Sequence, residues 1–423
     1  MILGLIHAAA AFWRTKALVR RLRTPEDVRA WREARLKKFV SGPVRDVPFY
    51  QGARAFADLP IIDKQAVLAN FEQLNRRRVT LAVARAALDA ERERVGGLVV
   101  GQSTGTSGNR GVFVISEAER FTWLGVMLAK TLPDFPFVRH KVALALPGYS
   151  QLYASAEETG RLAIRFFDLA LGVEAWRDEL RAFAPDTIVA PPKVLRNLAE
   201  HGGLAPAHVF SGAEVLDPTD RAVIEAGFGA RVREIYMATE GLFGVACPHG
   251  TLHLAEDVVA FEWEAAPGET GLVMPIVTDF TRRTQIMARY RMNDLLRLSS
   301  LRCACGSPLQ AVAAVEGRRD DMLRLPGRAG TVMITPDVAR NAVVDADRRI
   351  DDFRVVQTGE AQIVLTLAEG LPAEAAELAR SALTRALSKA GVRPVEIRLE
   401  AGIGAPTDRK LRRVRCDLSP PAG

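Results

Sequence analysis

The chain has 423 residues, 48% hydrophobic and 25% charged, which is the balance of a folded protein with a large core; it excludes a disordered chain, and the length suggests roughly two or three domains. A formal charge of +7 favours anionic partners: nucleotides, polyphosphates, nucleic acid or an anionic membrane surface. Four cysteines and no apolar run long enough to span a bilayer place the chain in the cytoplasm.

The opening stretch from Met1 to Trp13 is apolar, and its positive charges follow the apolar run rather than precede it. This predicts a packed N-terminal helix, not a secretory signal. From Arg14 to Lys38 basic residues interleave with Leu18, Leu22, Val28 and Trp31, the pattern of one or two amphipathic helices with a solvated face; contact with a membrane surface is the competing reading. Further on, the apolar Leu98-Val99-Val100 leads into Ser103, Thr104, Gly105, Thr106, Ser107, Gly108, Asn109, Arg110 and Gly111. Hydroxyls, exposable amides and glycines directly after a strand are what a phosphate-gripping loop needs, because glycine lets the backbone approach a polyphosphate closely. A hairpin loop with no ligand has the same composition. The loop is not a Walker A sequence, since no Gly-Lys-Ser/Thr closes it.

Between Lys141 and Tyr236 short apolar runs alternate with helical patterns. Strands are expected over 142–146, 188–190, 209–210 and 232–236, and helices over 173–183, 194–201 and 218–226, the last with Asp217 as N-cap and Pro218 at its first position. This is α/β architecture with a largely parallel sheet. Several strands run into polar or glycine-containing turns, at 147–150, 211–214 and 237–241, and ligands of such sheets sit at the strands' C-terminal edge. After Gly317 the texture changes to a hairpin (353–357, a turn at Thr358-Gly359, 363–367), a long helix over 373–389 and a short strand over 395–399. That is a compact α+β unit of about one hundred residues.

The cysteines form a separate pattern: Cys247, His249 and His253, then Cys303 and Cys305. A hairpin turning at His249-Gly250 places Cys247 near His253, and the two later thiols complete an S₃N set suited to structural zinc. Buried free thiols remain the alternative, His249 competes with His253 as the nitrogen ligand, and Cys416 stands apart.

Taken in order, Ser103 to Gly108, Ser211-Gly212-Ala213-Glu214, Tyr236-Met237-Ala238-Thr239-Glu240, Tyr290-Arg291-Met292-Asn293-Asp294-Leu295, Gly317-Arg318-Arg319-Asp320-Asp321 and a late Lys410 resemble the adenylate-forming superfamily of acyl- and aryl-CoA ligases. The chain looks most like the phenylacetate-CoA ligase branch, and Pro48-Phe49-Tyr50 and Leu59 to Lys64 are also similar to that branch. The resemblance implies a large N-terminal α/β adenylation domain over 1–317 and a small mobile C-terminal α+β domain over 318–423. It implies an AMP-forming ligase that activates a carboxylic acid, an aryl acid by preference, with ATP and Mg²⁺, and passes the acyl group to CoA or to a carrier-protein phosphopantetheine. By the same resemblance Ser103, Thr104, Gly105, Thr106, Ser107 and Gly108 would hold the β- and γ-phosphates. Gly212, Ala213 and Glu214 would line the adenine with Tyr236 beside it, and Thr239 would touch the α-phosphate. Glu240 would hold Mg²⁺, Asp294 and Arg318 would reach the ribose, and Lys410 would reach the carboxylate and α-phosphate. Cys/His sets like Cys247, His253, Cys303 and Cys305 also occur in that branch.

The chain departs from the family pattern at Asn109-Arg110, in place of Lys/Pro, and at Met292-Asn293, in place of Thr-Gly. Tyr149, Tyr153, Phe210, Leu242 and Phe243 flank the expected site and are candidates to wall an aromatic pocket, although an aromatic beside a strand is as readily core. A non-catalytic nucleotide- or zinc-binding protein that keeps the fold is the alternative function. A nucleic-acid binder is not expected, because the basic charge lacks the aromatic interleaving such proteins use. A homodimer is left open.

Overall fold

The computed structural model describes residues 2–103, 110–146, 161–268, 271–350, 352–402 and 412–418. Thr104, Gly105, Thr106, Ser107 and Gly108 of the expected phosphate loop, Tyr149, Tyr153 and Lys410 lie outside the described residues. The chain is α/β and divides into two compact units: the first holds Met1–Glu262, Ile276–Met292 and Ser299–Ala313, the second Trp263–Pro275, Asn293–Leu298 and Ala314–Gly423.

The first unit opens with α1 (Ile2–Arg21) and α2 (Pro25–Ser41), the latter started by a Thr24/Asp27 capping box with Pro25 in its first turn. The helix expected in the first thirteen residues is therefore longer, because its buried stripe continues through Thr15 and Leu18. After α3 (Lys64–Ala69) and α4 (Leu81–Asp89), the strands β1 (Arg94–Val95), β2 (Leu98–Gln102) and β3 (Val112–Ile115) form a three-stranded antiparallel sheet. Leu98, Val100, Val112 and Val114 alternate onto a small core with Phe71 and Ala84.

Behind this hairpin, α5 (Glu117–Thr131) leads into a parallel sheet. Its strands are β4 (His140–Leu144), β5 (Leu162–Phe166), β6 (Thr187–Ala190), β7 (His208–Ser211) and β8 (Val232–Ala238), ordered β5-β4-β6-β7-β8. The antiparallel β9 (Gly241–Ala246) and β10 (Leu252–Leu254) continue it. On one face, α6 (Val173–Phe183), α7 (Pro192–His201) and α8 (Pro218–Phe228) bury Trp176, Leu180, Leu195 and Ile224 against Ala143, Ile188, Val209 and Val232. The neighbouring residues Val142, Leu144 and Phe210 point to the opposite face, where Phe12 of α1 and Val126 and Leu128 of α5 cover them. Each large apolar side chain so buried contributes about 1.5–3 kcal/mol. Gly125 sets the α1–α5 approach, since a Cβ there would lie 2.1 Å from the Ala8 carbonyl oxygen.

Differences from the sequence expectations are local. The first parallel strand ends at Leu144, and α7 starts two residues early because Pro192 suits a first turn. Asp217 occupies the N-cap of α8, but its side chain makes no capping hydrogen bond. Helix α6 matches its expected span, bounded by Gly172 at φ +78° and Ala184 at φ +47°. Beyond β10 the chain adds β11 (Val259–Ala265), β12 (Val273–Asp279), β13 (Tyr290–Arg291), β14 (Asp294–Leu298) and β15 (Ala311–Arg318). Within the first unit, Ile276 and Val277 pair with Arg291 and Tyr290. Among the described residues no helix is long and apolar enough to cross a membrane.

In the second unit, β16 (Leu323–Gly327) and β17 (Gly330–Ile334) form a hairpin, followed by α9 (Pro336–Val344). A four-stranded sheet, ordered β20-β19-β18-β21, packs against α10 (Ala373–Lys389); its strands are β18 (Phe353–Gly359), β19 (Gln362–Leu367), β20 (Glu396–Ala401) and β21 (Val414–Cys416). The turn expected at Thr358-Gly359 falls two residues later, at Glu360-Ala361, because a bulge between Gln357 and Gly359 extends the strand. The cause is the fully buried Gln357 amide. Its nitrogen donates to the carbonyls of Arg324, Gly359 and Glu360, and its oxygen accepts from the Arg324 amide at 2.7 Å. A buried amide demands such partners.

Candidate functional site

The base of the hydroxyl- and glycine-rich loop lies at the open end of the β2–β3 hairpin. Ser103 and Gly111 close it reciprocally: the Ser103 amide donates to the Gly111 carbonyl at 2.8 Å, and the Gly111 amide donates to Ser103 Oγ at 2.8 Å. The two residues that flank the expected phosphate loop are thus hydrogen-bonded to each other at the end of β2 and β3.

Thr239 and Glu240 form the two-residue turn that joins β8 to β9, where Ala238 pairs with Gly241. A Cβ at Gly241 would stand 2.7 Å from Asp279 Oδ2, so a larger residue there would have to displace the buried Asp279 carboxyl. Tyr290 Oη donates to Glu240 Oε1 at 2.9 Å, and the Arg282 guanidinium donates to the Thr239 carbonyl at 2.5 Å while stacking over Phe113. A small cavity gathers these parts: Lys64, Gly111, Phe113, Thr239, Glu240 and Arg282 line it. Chain segments that are remote in sequence, the loop base and the Thr-Glu turn, thus share one site. Lys64 and Arg282 supply cationic groups that the motif reading gave no role; Lys64 ends the quoted stretch from Leu59, Arg282 belongs to no quoted motif, and only the fold brings both to the cavity.

Gly212, Ala213 and Glu214 follow β7, and the Gly212 amide donates to the Ala190 carbonyl at 3.2 Å. Ala213 is held at φ +69°, a left-handed conformation that costs a non-glycine residue on the order of 1–3 kcal/mol and tends to mark ligand-binding turns. Tyr236 is buried against Phe243, with ring centroids 5.4 Å apart. Phe210, Leu242 and Phe243 are all core residues, and Arg233 lies over the Phe210 ring at 4.6 Å. These three therefore fill the interior behind the sheet edge.

Within the second unit, Asp294 and Arg318 meet at 3.7 Å, the carboxylate largely covered and the guanidinium half exposed. The pair comes together because the Arg319 amide donates to the Asn293 carbonyl at 2.8 Å, which holds the start of β14 beside the end of β15. Arg412 pairs with Asp321, and the buried Arg413 lies over Phe353. Burial pushes the Asp321 carboxyl up, and Arg412 opposes the shift. Arg412 and Arg413 are thus anchored into the small unit.

The Cys/His set assembles as the hairpin reading predicts. Gly250, at φ +83°, lets the β9–β10 turn close with its amide on the Cys247 carbonyl at 2.8 Å, and His253 pairs across to Val245. The donor atoms of Cys247, His253, Cys303 and Cys305 all lie within 4.8 Å of one another. Cys247 and Cys303 sulfurs are 3.7 Å apart, and Cys305 Sγ is 3.3 Å from His253 Nε2. Tetrahedral zinc with Zn–S of about 2.3 Å sets sulfurs about 3.8 Å apart, so the residues fit that ion. The other imidazole nitrogen, Nδ1, faces the Leu309 carbonyl at 3.1 Å, which turns Nε2 toward the sulfurs. His249 is exposed, and its carbonyl accepts from Arg231. Burial pushes the Cys305 thiol up to about 12. At Cys303 burial is outweighed by hydrogen bonds from the Cys305 amide, Thr251 and His253, which bring it down to about 6.

No family model and no curated protein sequence matches the chain, whereas solved structures do. The fold is that of the adenylate-forming acyl- and aryl-CoA ligases. A 2-hydroxyisobutyryl-CoA ligase in the postadenylation state, in complex with R3-HIB-AMP, aligns with a TM-score of 0.68 at 20% identity over 94% of this chain and 91% of that one. The GH3.15 acyl acid amido synthetase aligns at 0.58 with 11% identity, over 95% and 94%. A benzoate CoA ligase from Burkholderia xenovorans LB400 aligns at 0.51 with 15% identity, over 71% and 65%.

Proposed function

We propose that this chain is an AMP-forming carboxylate ligase, with an aryl acid as the preferred substrate class and CoA or a carrier-protein phosphopantetheine as acceptor. The observation that carries the reading is the shared cavity of Gly111 at the loop base with Thr239 and Glu240, in a fold otherwise seen in acid–CoA ligases. In the first step a carboxylate oxygen attacks the α-phosphorus of ATP, the bond to the bridging oxygen breaks and pyrophosphate leaves. Both reactants are anions, so positioning and positive charge carry the barrier reduction.

Ser103 and the turn that follows it hold the β- and γ-phosphates, with Lys64 and Arg282 adding charge at their base. Gly212, Ala213, Glu214 and Tyr236 receive the adenine, and Asp294 with Arg318 receives the ribose. Glu240, oriented by Tyr290, would supply an oxygen ligand to Mg²⁺, which when bound would offset the charge of the phosphates. Lys410 neutralises the developing charge between carboxylate and α-phosphate. In the second step the acceptor sulfur attacks the acyl carbon, AMP leaves with the mixed-anhydride oxygen, and the thiol proton passes to solvent. Cys247, His253, Cys303 and Cys305 would hold zinc in a structural role, and the chain works in the cytoplasm.

An amine acceptor is the second reading, favoured by the likeness to an acyl acid amido synthetase over nearly the whole chain. Acid-dependent ATP–pyrophosphate exchange across benzoic, hydroxybenzoic, arylacetic, cinnamic and aliphatic acids tests the proposal. Exchange with one class of acid is expected; folded protein that binds ATP yet exchanges with none of them would instead favour the non-catalytic reading. Adding CoA or an amine to the responsive acid then separates the acceptors.

A further inference from the structure

A second cavity in the first unit, of about 800 Å³, shares no lining residue with the one beside Glu240. Its walls come from α1, α2, the start of α5 and the segments around 76–77, 257–258 and 280–284, and Arg14, Arg35, Arg76, Arg77 and Arg283 line it. Two acids also line it, and both are committed elsewhere. Glu119 accepts from the Ser116 amide and hydroxyl, from the amides of Arg283 and Thr284 at 2.6 and 2.8 Å, and from the Thr284 hydroxyl. Asp257 takes Lys130 Nζ on both oxygens, at 2.7 and 2.8 Å.

Of the arginines, only Arg76 reaches a carboxylate, that of Asp46 at 3.4 Å in an exposed pair of little strength. Among the described residues no ion pair joins Arg14, Arg35, Arg77 or Arg283 to an acid. Arg35 is half-buried and fixed between the rings of Trp31 and Phe280, at 5.5 and 5.4 Å. Its pKa is lowered by burial and by the like charges of Arg283 and Arg14. The first turn of α5, with Ser116 and Ala118 on the wall, adds its positive dipole end, and the Thr122 hydroxyl is a further donor.

We propose that this cavity is a binding site for a multivalent phosphorylated anion of nucleotide size, separate from the ATP site. Guanidinium forks bind phosphate oxygens in pairs, and the volume falls in the range of small-ligand sites. The arrangement has the charge for at least two phosphate groups and lacks a carboxylate free to repel them. Arg35 supplies a rigid fork, while Arg14, Arg77 and Arg283 reach solvent and receive the ligand.

Isothermal titration of the full chain with adenosine 3′,5′-bisphosphate, at about 50 mM salt where screening is weak, tests this. Saturable binding is expected, weakened at least tenfold in Arg77→Gln/Arg283→Gln and unchanged in Asp294→Ala, which alters only the proposed ATP site. The double variant should melt no lower than the parent, because like charges are removed; should it fail to fold, the exposed Arg14→Gln serves with the same expectation. Competition by inorganic pyrophosphate would mean that phosphate alone is read, and its failure to compete that the nucleoside is read as well; either result fits the site. No saturable binding, equal affinity in the arginine variants, or loss of binding in Asp294→Ala would overturn it.

Discussion

The Cys/His cluster draws its four donors from two turns of one unit and brings them within 4.8 Å of one another. The nucleotide site is proposed from at least five separated segments. Of these, the stem at Ser103 and Gly111 and the Thr239-Glu240 turn belong to the first unit. A cluster built from two tight turns is specified by local spacing and glycine placement. A dispersed site is specified by the register of a whole sheet. The first should therefore fail by unfolding and the second by losing rate.

Four perturbations break or sharpen that contrast. The largest effect is expected from the cluster: Cys303→Ser, or stripping metal with a chelator, should destabilise the chain by several kcal/mol, seen as a fall in melting temperature on the order of 10 °C. Adenylation by the protein that remains folded should persist, and an unchanged melting temperature in metal-free protein would remove the structural-zinc assignment. Lys410→Ala should cut ATP–pyrophosphate exchange by about 10²–10³-fold while leaving ATP affinity, measured by titration, within about threefold. Equal loss of both would count against its role at the reacting atoms.

The third perturbation concerns Glu119, which ties α5 to the segment carrying Arg282. Burial alone would raise its carboxyl, but hydrogen bonds from Ser116, Thr284 and the Arg283 amide outweigh burial and hold it below the ordinary 4.5. A depressed folded value stabilises fully above that pH, and the contribution is lost as pH falls through the folded value. Glu119→Gln should cost about 2 kcal/mol at neutral pH and flatten the stability profile below about pH 4.5; denaturant midpoints across that range check both. The smallest effect is expected from Gly125→Ala, which presses a methyl onto the Ala8 carbonyl and, with α1 yielding to it, should cost about 1 kcal/mol with no change in exchange per folded molecule. A stability equal to the parent's would mean that α1 shifts freely.

Helices α6 and α10 and the parallel strands between them were legible because each is bounded by its own chemistry: Gly172 before α6, an apolar stripe along it, and short β-branched runs ending in polar turns. The turn after β18 was misplaced by two residues because Gln357, a polar residue in a strand, gave no sign of the carbonyls that would surround it. Lys64 and Arg282 were overlooked at the site for the same kind of reason. Each is one basic residue among 57 until the sheet brings it beside Thr239 and Glu240. Phe210, Leu242 and Phe243 looked like candidate pocket walls and proved to be core, since period 2 tells which residues share a face but not which face meets a neighbouring helix.

The sequence by itself determined the α/β class, the order of the chemical motifs and the zinc-type donor set, because strand runs, helix stripes, caps and tight turns are written in neighbouring residues. Only the tertiary structure decided that the loop base shares a cavity with the Thr-Glu turn, that Glu119 bonds to amides 164 and 165 residues away, and that arginines from two helices and two connecting segments converge on one cavity. Those contacts depend on how helices pack across a sheet, and that packing is fixed by the sum of many buried side chains rather than by any short stretch of chain.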